Sequence, residues 1–181
     1  QWKVGASRIS VRNIIEGTDV GTWEWQVETG EVRLNERWAA MLGYSLAELQ
    51  PVNADTWERL AHPDDLQAAR VRLAEHFGGG AAYECVLRMR HRLGHWVWVQ
   101  ARGKLFSRGP GGAPGWMAGT HQDVSARHAL EQALRQKTEL LDTVLESLPC
   151  GLSVFDAELN LLLSNRAYRR LLDFPDALFE G

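Results

Sequence analysis

The chain has 181 residues, 20 basic against 23 acidic, with a formal charge of −3; that is enough for one full core and part of a second, since a single core takes about 100 to 150 residues. No basic stripe answers a phosphate backbone, no apolar run reaches the ~18 residues of a membrane span, and residues 1–10 lack a signal-peptide core, so nucleic acid and membrane contact are excluded and a cytoplasmic segment is expected, its parent free to be tethered elsewhere. Cys85 and Cys150 are far apart and outside any paired ligand pattern, which argues against a disulfide framework or a zinc site and for a reducing compartment.

Three of the eight tryptophans fall within residues 21–38, "GTWEWQVETGEVRLNERW". Trp23 to Val27 alternates large apolar with polar side chains, the period of a strand; "ETG" supplies turn chemistry, and Val32 to Leu34 reads as the return strand of a hairpin. Asn35 stands as an N-cap before Glu36, Trp38, Met41 and Leu42 at helical spacing, with Gly43 as the stop. Short helical pieces broken by Pro51 are expected over 45–60. The clearest helix is "HPDDLQAARVRLAEHFGGG", where Pro63 suits the first helical position, Asp64 and Asp65 the positive end, and Gly78 the termination. Three strands follow, Tyr83 to Arg90, Trp96 to Phe106 and Gly115 to Asp123, separated by "HRLGH" and "SRGPGGAPG". Two strands, small helices and three strands make an α+β order with an antiparallel sheet.

From Val124 to Leu148 the chain becomes helical and charge-laced. Leu130, Leu134, Leu141, Val144 and Leu148 follow a heptad whose seam also includes Arg127 and Lys137, so a dimeric coiled coil and an amphipathic helix lying on its own domain are both open. Residues 149–181 then repeat the earlier order: strand Gly151 to Asp156, turn "AELN", strand Leu161 to Ser164 and the cap Asn165. The expected organisation is a flanking helix or cap over 1–20, a domain over 21–123, a linker helix over 124–148 and the truncated start of a second domain over 149–181.

The words "GTWEWQVETGE", "NERWAAMLGYS", "LAHPDDL", "YECVLRMRHRLGHWVWV" and "GTHQDVSARHALEQAL", in this order, resemble the PAS domain family of bacterial sensor modules. The resemblance implies a five-stranded antiparallel sheet flanked by small helices, enclosing a pocket, with a C-terminal signalling helix. Compared with light-sensing relatives, Trp57 stands where the flavin-reactive cysteine would be, so a flavin adduct is excluded; His76 stands about three residues from a haem ligand's place and reads as an exposed helix-end histidine, so haem is disfavoured. The cofactor is then an unknown small molecule or none. The same comparison turns Met117, Gly119 and His121 inward, with Tyr83, Cys85, Leu87 and Met89 facing the pocket on one strand and Val97, Val99 and Ala101 on the next. On the first strand the carried register points Glu24 and Gln26 inward and Trp23 and Trp25 outward, as part of a tryptophan-rich outer layer covered by the segment "SRISVRNIIEG", a second subunit or both. The competing reading buries the tryptophans and gives Glu24 to solvent.

The candidate ligand-binding set is therefore Glu24, Gln26, Trp38, Trp57, Cys85, Met89, Val97, Val99, Met117 and His121, a few polar groups on apolar walls. Glu24 and His121 satisfying each other as a structural pair is the alternative. No catalytic motif appears, and the fragment is not expected to be an enzyme; His128 lacks a phosphoacceptor context and reads as a solvated helix residue, and His62 as fixing the start of its helix. Two functions remain: a ligand-sensing input domain of a histidine kinase or diguanylate cyclase, or a ligand-free dimerisation and relay module. In either case a homodimer through the linker helix and the outer sheet face is expected.

Overall fold

The computed structural model describes residues 17–173; the expected N-terminal cap lies, up to residue 16, outside the described residues. The chain divides into two compact units, 1–128 and 129–181.

In the first unit, β1 (Gly21–Gln26) and β2 (Val32–Leu34) form the expected hairpin, and three short helices follow: α1 (Glu36–Met41), α2 (Leu46–Leu49) and α3 (Ala54–Leu60). The long helix α4 (Pro63–Phe77) leads to β3 (Tyr83–Arg90), β4 (Trp96–Leu105) and β5 (Trp116–Asp123). The five strands make one antiparallel sheet in the order β2-β1-β5-β4-β3. Thus the first hairpin closes against the last strand, and one sheet face is left for the helices to cover.

Local chemistry accounts for the helix boundaries. Asn35, Ser45, Asn53 and His62 each accept a backbone N–H of the first turn they precede, and Pro63 occupies the first turn of α4. His62 does this through Nδ1, which accepts from the Asp64 amide at 3.2 Å, the role expected of it. Asp65 ties α4 to β3: its carboxylate accepts both the Arg88 backbone N–H and the Arg88 guanidinium at 2.7–2.8 Å. Those hydrogen bonds hold the Asp65 carboxyl below the usual carboxylate range.

The core lies between the helices and the inner sheet face, where Trp38, Leu42, Leu87, Met89, Val99 and Met117 are buried. On the opposite face Trp96, Trp98 and Trp116 are roofed by the chain's own cations: Arg90 lies 5.7 Å over Trp96, Arg88 5.5 Å over Trp98 and Arg33 5.6 Å over Trp116. His128, expected to be solvated, instead stacks on Trp98 at 3.8 Å and 15° and is half-buried. The flat indole one strand below the helix start gives the imidazole a better neighbour than water.

The linker helix α5 (Ser125–Ser147) begins directly after β5. Its first turn is fixed to β4, since the Val124 N–H donates to Trp98 O and the Trp98 N–H to Ser125 Oγ. In the second unit, β6 (Ser153–Phe155) pairs antiparallel with β7 (Leu161–Ser164), and Asn165 caps α6 (Arg166–Leu171).

Candidate functional site

The site is built from the small residues that let large ones approach. Asn35 Oδ1 accepts the Thr22 and Trp38 amides, both at 2.9 Å, while Nδ2 donates to Val20 O, so one side chain fixes the start of α1 against β1. Gly21 makes that close approach feasible: a Cβ there would stand 2.9 Å from Trp38 Cα. Trp38 is thereby laid across the inner sheet face, and its Nε1–H donates to His121 Nδ1 at 2.8 Å. The two rings stack with centroids 5.7 Å apart.

Around this pair runs a cavity with about 50 Å³ of free volume. Trp23 and Trp25 of β1, Val32 and Leu34 of β2, Met117 and His121 of β5, and Tyr83 and Leu87 of β3 form the sheet side; Trp38, Trp57 and Leu73 form the helical side. Among the described residues no Asp, Glu, Lys or Arg lines it. Burial pushes the His121 pKa down to about 3, so the imidazole is neutral; because Nδ1 accepts from Trp38, its proton is on Nε2. Tyr83 and Cys85 face each other, hydroxyl to Sγ 3.0 Å, and burial pushes the titration of both upward.

Of the ten expected site residues, Trp38, Trp57, Met117 and His121 line the cavity. Cys85, Met89, Val97 and Val99 are buried in the core on the same sheet face but outside the cavity wall. Glu24 and Gln26 are corrected: both turn away from the cavity, Glu24 is exposed, and Trp23 and Trp25 occupy the inner face instead. The register states the reason. Trp23 is opposite Gly119 and Trp25 opposite Met117 across β1 and β5, and directly opposed residues share a face. With Met117 inward the tryptophans must be inward as well, and the Glu24–His121 pair is replaced by Trp38–His121. Trp23, Trp25, Val32, Leu34 and Leu73 were missed from the site, although simple alternation in "TWEWQ" carried the signal for the two tryptophans.

His76 is also corrected. It is buried rather than exposed, with Nδ1 donating to Ala81 O at 2.7 Å and Nε2 accepting the Leu105 N–H at 2.9 Å. Gly78 stops α4 two residues later, and the histidine bonds the returning chain to β4.

A family model of the PAS fold matches residues 31–121, half of the chain, and a second model of the PAS fold matches residues 145–181. The solved structure of a sensory box histidine kinase/response regulator from Burkholderia thailandensis E264 is 30% identical, with a TM-score of 0.64 over 72% of this chain and 96% of that one. The sensor protein FixL of Bradyrhizobium diazoefficiens is 26% identical over 165 residues, which is 90% of this chain and 32% of that protein. The chain spans less than a third of the length of the curated relatives it matches. An RNA-binding light-oxygen-voltage receptor shares the fold at 15% identity, with a TM-score of 0.52 over 69% of this chain and 34% of that one.

The similarity to FixL and to that receptor corrects the expectation on cofactors. Neither the exclusion of a flavin adduct at Trp57 nor the disfavouring of haem at His76 stands beside these relatives. A cysteine missing at one position removes one covalent bond, not the non-covalent cavity around it.

Proposed function

The chain belongs to the PAS fold family, and we propose that it is the sensory input module of a larger bacterial signalling protein, a histidine kinase or a diguanylate cyclase. In this reading a small molecule enters the cavity on the inner sheet face and the change is relayed through α5. One observation carries it: His121, on the cavity wall, lies two residues before Asp123, where β5 passes into α5. A rearranged hydrogen bond at the Trp38–His121 pair therefore has a short covalent path to the output helix, whose first turn is fixed on Trp98.

Mass spectrometry of the purified chain under native and denaturing conditions tests the sensor reading. The expected result is a retained small molecule in stoichiometric amount, released on unfolding. A chain that retains nothing would favour the second reading, a ligand-free dimerisation and relay module, which has its own support in the exposed leucines of α5.

A further inference from the structure

Two helices begin at one pair of residues in the sheet. Arg88 of β3 and Trp98 of β4 are directly opposed, and each turns its backbone groups away from the other. On one side the Arg88 N–H donates to Asp65 Oδ2 and the Arg88 carbonyl accepts the His62 N–H, each at 2.8 Å. On the other side the Trp98 N–H donates to Ser125 Oγ at 2.9 Å, and the Trp98 carbonyl accepts the Val124 N–H at 2.8 Å. His62 caps α4 and Asp65 belongs to its first turn; Val124 precedes α5 and Ser125 is its first residue. Such a pair is the non-hydrogen-bonded kind of an antiparallel ladder, in which the side chains stand closest.

The side chains repeat what the backbone does. The Arg88 guanidinium forks onto the Asp65 carboxylate at 2.7 and 2.8 Å and lies 5.5 Å over the Trp98 ring, so one group makes both a charge-assisted bond and a cation–π contact. On the same indole stacks His128 of α5, at 3.8 Å and 15°. A continuous run of contacts thus leads from Asp65 through Arg88 and Trp98 to His128. A guanidinium that follows a moving Asp65 must slide over the indole on which His128 is stacked. The helix that carries Asp65 also closes the cavity, through Leu73, whereas His121 is on β5.

We propose that the Arg88–Trp98 pair is a coupling joint between the cavity-wall helix α4 and the first turn of α5, with Asp65 and His128 as its two arms and no part taken by His121; it rests on the sensor reading for the signal it carries. Asp65, Arg88, Trp98 and His128 are positioning residues: none of the four lines the cavity, and each holds the next. Arginine suits the joint because its planar fork grips a carboxylate and lies over an indole at once, which the point charge of a lysine does not do.

A double-mutant cycle measures such coupling, with amide hydrogen exchange of the ¹⁵N-labelled chain as the readout and the amides of the central strand β5 as the monitor of global opening. Asp65→Asn, on α4, should speed exchange of the Val124 and His128 amides at the start of α5 by roughly two- to tenfold beyond that monitor, the lower part of the range for residues in one network. Trp98→Leu keeps the backbone bonds of β4 and removes the indole; in that background Asp65→Asn should leave both amides unmoved. His128→Ala breaks the stack from the helix side and should give the same answer at the Val124 amide. Arg88→Lys retains the charge without the fork and should act as Asp65→Asn does, so the question stays answerable if one variant does not fold. Effects of Asp65→Asn confined to α4 and β3 would overturn the joint. An effect on α5 that persists undiminished in Trp98→Leu would overturn its assignment to the Arg88–Trp98 pair. Either result leaves the sensor reading to its own test by mass spectrometry, where retention of a small molecule depends on the cavity and not on the joint.

Discussion

His121 is held neutral by its burial. Burial lowers its pKa to about 3 from an ordinary 6.5, and no charged residue among the described ones lines the cavity to offset that. Between these two values the unfolded chain holds a proton that the folded chain refuses. Stability is therefore complete above pH 6.5 and falls as the pH drops below it, by about 1.4 kcal/mol per unit. Urea unfolding at pH 7 and pH 5 should show a loss of about 2 kcal/mol on this account, and His121→Gln should flatten the slope. The window is clear of the Asp65–Arg88 pair, because a carboxyl whose pKa is lowered from 3.8 loses its contribution only at more acidic pH. A slope unchanged in the variant would assign the titration to another group. In the sequence, His121 was placed correctly on the inner face, but its partner was not. Trp38 lies 83 positions away, and nothing in the local pattern of either residue announces the hydrogen bond.

At the scale of elements, the first strand is where sequence and structure part. The element order and the antiparallel sheet follow from alternation and turn chemistry, and the inward faces of β3, β4 and β5 from the register that the family resemblance implies. For β1 the alternation is equally clean, and the rule that apolar side chains seek the core holds there against the register that the family resemblance implies. The structure also shows what makes room for the indole. Gly103 and Gly119 are directly opposed on β4 and β5, and Trp23 lies across both: a Cβ on Gly103 would be 2.5 Å from Trp23 Cη2 and 2.8 Å from Met117 Cε, and one on Gly119 would be 2.5 Å from Trp23 Cζ2. Neither glycine needs a left-handed backbone; each is there for space. Gly103→Ala should therefore push Trp23 off the sheet and cost about 1–3 kcal/mol, the range for overpacking, with a change in tryptophan emission. Gly17→Ala, which meets nothing within 4 Å, is the control. A neutral Gly103→Ala would mean that the indole shifts freely and does not define the cavity wall.

At the scale of the whole molecule, the same local construction occurs twice. Asn165 Oδ1 accepts the Leu152 and Tyr168 amides at 2.8 and 2.9 Å, as Asn35 accepts those of Thr22 and Trp38, at the same spacings of 13 and 3 residues. A Cβ on Gly151 would stand 3.0 Å from Tyr168 Cα, as one on Gly21 stands from Trp38 Cα. "LNERW" and "SNRAY" thus encode one device, with Tyr168 in the position of Trp38. Between the two copies runs α5, whose exposed leucines are the proposed seam of a homodimer. Leu130, Leu134 and Leu141 are exposed by 61–71% at the spacing of a heptad seam, where a second copy of the helix would bury them. Leu141→Lys puts a charge into that seam, which is costly to bury unpaired, but touches neither the sheet nor the cavity. The expected outcome is a halved mass by light scattering, with the unfolding transition of the first unit retained. An unchanged mass would leave α5 without a role in self-association, and the homodimer would then need the outer sheet face, where Trp96, Trp98 and Trp116 are already covered by arginines of their own chain.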